Sequence, residues 1–109
     1  FWNTVDLNPG DGEDIFTTVD VFDLYLLTLS NDGEFINADQ IGGMGTEYYP
    51  HITMDAAGSL YLGGTFTGNC DFYPSAEDQI LDATGSYDAF IVQIVDFVRC
   101  TYCANFIFC

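Results

Sequence analysis

The chain has 109 residues and is strongly acidic, with 17 Asp and Glu against one basic residue, Arg99, and no Lys. A formal charge of −16 repels nucleic acid and anionic membranes, which removes both as default partners, and no apolar run is long enough to insert into a bilayer. At 49% hydrophobic and 17% aromatic, the sequence is too apolar for a disordered acidic tail and long enough to bury one modest core.

Taken in chain order, the elements are short strands separated by Gly- and Asp-rich turns. Residues Asp6 to Asp14 form an acidic loop containing Pro9, Gly10 and Gly12. Asp23 to Leu29 is a β-rich run that stops at Ser30-Asn31-Asp32-Gly33. Asp32-Gly33 suits a tight hairpin in which both central residues take positive φ. Glu34 to Ile41 returns as the partner strand and ends at Gly42-Gly43-Met44-Gly45. His51 to Met54 is a short strand, Asp55-Ala56-Ala57-Gly58 a turn, and Ser59 to Phe66 the returning strand. Tyr87 to Val95 is a further strand, and no segment carries a helical period. The expectation is an antiparallel all-β protein.

The sequence also repeats itself. Sliding it by 65 residues places Phe1 on Phe66, Asp6 on Asp71, Pro9 on Pro74, Ile15 on Ile80 and Asp23 on Asp88, without a gap. Between these identities the chemistry agrees: Val5 meets Cys70, Leu7 meets Phe72, Phe22 meets Tyr87 and Tyr25 meets Phe90. The chain therefore holds a little under two copies of one unit, and a repeat of this kind dominates the reading of a fold.

Phe66-Thr67-Gly68-Asn69-Cys70-Asp71-Phe72 followed by Tyr87-Asp88-Ala89-Phe90-Ile91-Val92 resembles the SBBP repeats, the seven-bladed β-propeller type of secreted and surface proteins. Met54-Asp55-Ala56-Ala57-Gly58-Ser59-Leu60-Tyr61-Leu62-Gly63-Gly64 and Val5-Asp6-Leu7-Asn8-Pro9-Gly10 resemble them as well. The resemblance spans roughly residues 1–96 and implies radial four-stranded blades, with no catalytic residue to carry over. It divides the chain into a partial first blade (1–43), a second blade (44–96) and a Cys-containing C-terminal strand or tail (97–109). Under the same offset Arg99 to Phe106 falls where Glu34 to Ile41 lies, as a candidate last strand of the second blade.

Two groups of residues bear on chemistry. Asp6, Asn8, Asp11, Glu13 and Asp14 bring four carboxylates and an amide into nine loop residues. This is either a Ca²⁺ site, since Ca²⁺ takes six to eight oxygens from a bent loop, or a turn whose Asx side chains bond their own backbone. The second copy keeps Asp71, Glu77 and Asp78. Cys70, Cys100, Cys103 and Cys109 are even in number and suit disulfides in an oxidising compartment. A zinc site using His51 or Cys70 with the tail cysteines and free thiols are the alternatives. The Cys100-Thr101-Tyr102-Cys103 motif lacks the following His that haem attachment requires. His51, the single histidine, has no triad context. Tyr48-Tyr49 and Phe1-Trp2 serve either core and interface packing or stacking on glycans.

The chain begins without Met or a signal peptide and reads as processed, trimmed or part of something longer. A repeat unit buries its faces only against neighbours. The expected function is an extracellular structural subunit whose blades are completed by neighbouring copies of itself, giving a filament or surface layer. A glycan- or protein-binding propeller fragment of a secreted adhesin is the alternative, and no enzyme is expected. Self-repulsion at this charge makes stability depend on salt. Raising NaCl from about 0.01 M to about 1 M shrinks the Debye length from about 30 Å to about 3 Å. The melting temperature should rise over that range; a flat or falling value in calorimetry would refute the repulsion.

Overall fold

The strands observed are those that period-2 alternation and turn residues favour. In the computed structural model, residues 1–72 and 80–94 are described in full and residues 106–108 by their backbone. Among the described residues the strands are β1 (Thr4–Asp6), β2 (Ile15–Thr17), β3 (Leu24–Leu29), β4 (Phe35–Ile41), β5 (Glu47–Met54), β6 (Leu60–Phe66), β7 (Asn69–Asp71), β8 (Ile80–Asp82), β9 (Asp88–Ile94) and β10 (Phe106–Phe108). All pairings between them are antiparallel, and the described residues contain no helix.

Two three-stranded sheets, ordered β10-β3-β4 and β5-β6-β9, carry two small hairpins, β1-β2 and β7-β8. The hairpins are the same object twice. Thr4, Val5 and Asp6 face Thr17, Phe16 and Ile15. Adding 65 to each number gives the observed pairs Asn69–Asp82, Cys70–Leu81 and Asp71–Ile80. The amide of Thr18 donates to the Asn3 carbonyl and that of Ala83 to the Gly68 carbonyl, again one repeat apart. Asn3 and Gly68 both have φ of 60°. Phe1 meets Tyr25 edge-on at 6.3 Å and 67°, and Phe66 meets Phe90 at 6.2 Å and 70°. The repeat in the sequence is a repeat in the backbone.

Two turns explain the hairpins of the larger sheets. At Ser30 to Glu34, Ser30 and Glu34 pair through N–H and carbonyl, and Ser30 Oγ accepts from the Glu34 amide at 3.0 Å. Gly33 alone takes positive φ there, 84°, so the expected two-residue turn at Asp32-Gly33 gives way to a three-residue loop with a left-handed glycine. The turn after β5 works alike: Asp55 Oδ1 accepts from the Ala57 and Ser59 amides at 2.9 Å, and Gly58 has φ of 85°. β5 is longer than the expected strand from His51. Its extension contains Pro50 and Tyr49 at φ 54°, and the register with β6 shifts between Tyr48 and His51. A proline is tolerated there because β5 is an edge strand with a bulge.

Phe106–Phe108 pairs with β3, opposite Leu29, Thr28 and Leu27, rather than with β9. It lies on the side of β3 away from β4, which is where β6 lies against β9. Of the expected C-terminal strand, Arg99 to Phe106, only Phe106 is described. Residues 99–105, the bulk of that expected strand, lie outside the described residues.

The core sits between the sheets. Leu24 and Ile41 of the first share a cluster with Leu62, Phe66 and Phe90 of the second and with Cys70 and Phe72 beyond β6. Phe66, Phe72 and Phe90 contact one another with centroids 4.6 to 6.2 Å apart. Each such buried side chain contributes about 1.5–3 kcal/mol. An ideal Cβ on Gly45 would sit 1.8 Å from the Thr67 carbonyl oxygen, so the Gly-rich segment before β5 is required by close backbone approach.

Gly58 isolates the backbone term, because a Cβ added there meets nothing within 4 Å. Gly58→Ala should cost about 1–2 kcal/mol from the left-handed conformation alone, read as a lower midpoint in urea unfolding. An unchanged midpoint would show that the turn adapts freely.

Candidate functional site

The most unusual chemistry lies at the junction of the two copies. Asp23 precedes β3 and Glu47 opens β5; both are acids, yet they are 1% and 4% exposed. One Asp23 oxygen is well used: Oδ2 accepts from the Val19 amide at 3.0 Å and from Gln40 Nε2. The same bond recurs one repeat later, with the Thr84 amide donating to Asp88 Oδ2 at 2.8 Å. Asp23 thus closes the loop before its strand, the structural role its identity with Asp88 encodes.

Asp23 Oδ1 and both oxygens of Glu47 have no hydrogen-bond partner. The Cys70 thiol faces the Glu47 carboxyl and stabilises its charge slightly, but is not placed as a regular donor. Burial, and secondarily the charge of Asp23, pushes the Glu47 carboxyl up to about 7. Cys70 is fully buried and free; burial first and Glu47 second push its thiol well above the ordinary thiol range. An inert thiol and a carboxyl held protonated near neutrality are what a dry junction between acids produces. Beside it is a hollow of about 210 Å³ lined by Phe1, Phe22, Tyr25, Glu47, Tyr48 and Tyr49 among others.

The acidic loop is arranged for its own backbone. Asp6 Oδ1 accepts from the Asn8 amide at 3.0 Å and the Asp14 amide at 2.9 Å, and Asn8 Oδ1 from the Gly10 amide at 2.8 Å. The Asp14 and then the Asn8 amide bonds lower the Asp6 carboxyl below its ordinary value. Asp11 and Glu13 are exposed and Asp14 half-buried. Among the described residues no three His, Cys, Asp or Glu side chains group to hold a metal ion. The loop has the bonding pattern of the self-bonded Asx turn. Glu77 and Asp78 of its second copy lie outside the described residues, as do Cys100, Cys103 and Cys109. His51 is exposed on β5, while Cys70 is buried on β7.

Tyr48 contacts both Tyr49 and Tyr87, with centroids 6.0 and 5.9 Å away, and Tyr49 is 77% exposed. Comparison of the chain with protein-family models, with curated proteins and with solved structures finds no match in any of the three.

The Asp23–Glu47 junction escaped the sequence reading because the two acids are 24 positions apart and unremarkable among 17 acidic residues. The Asp23–Asp88 identity was the available signal, since Glu47 has no counterpart within the described residues. The junction sets a pH dependence. Because the folded-state pKa of Glu47, about 7, lies above its ordinary 4.5, its contribution is full below pH ~4.5 and is lost as pH rises through about 7. At 1.36 kcal/mol per unit, discounted for solvent screening, the loss is about 1–3 kcal/mol. Glu47→Gln should therefore be more stable than wild type at pH ~8 by up to that amount, and close to it at pH ~4. Urea unfolding across this range checks it; parallel pH profiles for the two proteins would refute the buried-acid assignment.

Proposed function

We propose that the chain is an extracellular structural subunit that assembles with copies of itself into a filament or surface layer through its β-sheets, acting as structure rather than as a catalyst. The observation that carries this reading is the open edges of both larger sheets. Among the described residues, β4, β5 and β9 each have one side without a strand partner, and each is seven or eight residues long. Long unpaired edges present rows of N–H and C=O groups that another chain satisfies by adding a strand. β3 supplies a precedent, because its free side is taken by a segment from the far end of the chain. Propeller-like blades completed by neighbouring subunits are the arrangement this reading favours. The acidic balance and the cysteines support a location outside the cell.

A second reading, a glycan-binding module, is favoured by the exposed Tyr49 beside Tyr48 and Tyr87 and the hollow next to them. Sedimentation and negative-stain imaging in high salt separate the two. Concentration-dependent growth into regular assemblies is expected. A monodisperse 12.0 kDa monomer at every concentration overturns the structural reading, and glycan-array binding by that monomer would establish the second.

A further inference from the structure

Because the two copies share one register, each position on β3 has a counterpart on β9, and the counterparts differ in exposure. Leu24, Leu26 and Thr28 point to one side of β3 and are 7%, 2% and 4% exposed. One repeat later, Ala89, Ile91 and Gln93 occupy the same positions on β9, and all three are exposed, Ile91 to 83%. At the middle position the chemistry is the same, since Leu26 and Ile91 are both large aliphatic residues, while Ala89 and Gln93 stand where Leu24 and Thr28 do. Leu24 and its cross-strand neighbour Ile41 lie against the second sheet, whose Phe90 shares their core and whose Val92 and Ile94 pack on it. Among the described residues the corresponding face of β9 has no sheet against it.

The internal contact is heterologous: one face of the first sheet meets the opposite face of the second. That opposite face is also duplicated. Phe90, Val92 and Ile94 correspond to Tyr25, Leu27 and Leu29 on β3, each a large apolar residue in both copies. The chain therefore repeats on β3 the apolar half of its own sheet-to-sheet contact, and on β9 keeps part of the other half, with Ile91 at the position of Leu26.

Charge singles out the same two faces. Directly opposed residues on antiparallel strands share a face. The Ile91 face accordingly continues from Gln93, Ile91 and Ala89 to Tyr61, Gly63 and Thr65 of β6. The Tyr25 face continues from Tyr25, Leu27 and Leu29 to Gln40, Ala38 and Phe35 of β4. In a chain with 17 acidic residues, neither set includes one. Absence of charge at the centre of a patch is the mark of a surface that becomes buried.

We propose that the Ile91 face of one molecule docks on the Tyr25, Leu27 and Leu29 face of a second copy, continuing head to tail the packing found inside the chain. This rests on the self-assembly reading above and names its interface. Strand addition at the sheet edges leaves the Ile91 face exposed and the Tyr25 face half-buried, with Phe1 against Tyr25 and Ala38 covered, whereas face-to-face stacking buries both. A head-to-tail contact closes into a ring if its rotation closes and otherwise extends as a fibre.

Ile91→Asp tests the proposal without risk to the fold, because the side chain is exposed and outside the core. Circular dichroism and the melting temperature should match wild type, while sedimentation in high salt should show association weakened by ~10-fold or more. The variant keeps its Tyr25 face, so a small fraction of it mixed into wild type should cap growing ends and shorten the assemblies. Val19→Asp, at a site 63% exposed and off this face, should do neither. Undiminished assembly of Ile91→Asp would overturn the stacking interface and leave edge-to-edge assembly standing. Weakened assembly without capping would overturn the head-to-tail geometry. A wild-type protein that stays monomeric throughout would overturn both the interface and the self-assembly it rests on.

Discussion

The packing of Leu24 and Ile41 onto Phe66, Phe72 and Phe90 holds the two copies of the unit together, and most other features depend on it. Neither sheet has more than three strands among the described residues, and a three-stranded sheet with both faces wet has little to stabilise it. Bringing the sheets together removes one face of each from water. It also sets how closely the connecting backbone must run, which is why Gly45 lies where no side chain would fit against Thr67. Asp23 belongs to the same constraint, since its bonds to Val19 and Gln40 fasten the loop that delivers β3 to the contact.

That packing has an electrostatic consequence. It closes over Asp23, Glu47 and Cys70 at the seam and leaves Asp23 Oδ1 and both Glu47 oxygens without a hydrogen-bond partner. Burying unpaired carboxylates is costly, and the least costly resolution is to keep one protonated. The acidic character that serves the surface thus becomes a liability in the interior, confined to one junction and expressed as pH dependence. The loop at Asp6 shows the opposite outcome. There the carboxylate accepts backbone amides in the open, and its charge is stabilised rather than opposed.

The internal duplication gives the molecule a direction. A twofold-symmetric core would hide equivalent faces, whereas this one hides one face of the first copy and the other face of the second. The exposed face around Ile91 and the half-buried face around Tyr25 are related in the same sense as those already joined. Assembly by stacking them needs no surface chemistry that the core does not already use. The long-range repulsion between molecules of charge −16 acts against any such contact, so ionic strength governs it.

The all-β class, the turns at Ser30–Gly33 and Asp55–Gly58, and the 65-residue repeat were legible in the sequence alone. These are local properties: alternation along a strand, a glycine where φ must be positive, and identities at a constant spacing are all written in neighbouring or evenly spaced residues. The short hairpins β1-β2 and β7-β8 were not legible, because three-residue strands separated by an acidic loop carry too little alternation to stand out. The extension of β5 through Pro50 depended on its lying at an edge. Tertiary structure alone decided that Phe106–Phe108 lies against β3, that Glu47 is buried beside Asp23, and that Ile91 is exposed where its counterpart Leu26 is not. Two aliphatic residues at the same position of the same repeat are indistinguishable in sequence. Whether each is core or surface depends on what the rest of the chain places in front of it, which no residue near it in the chain encodes.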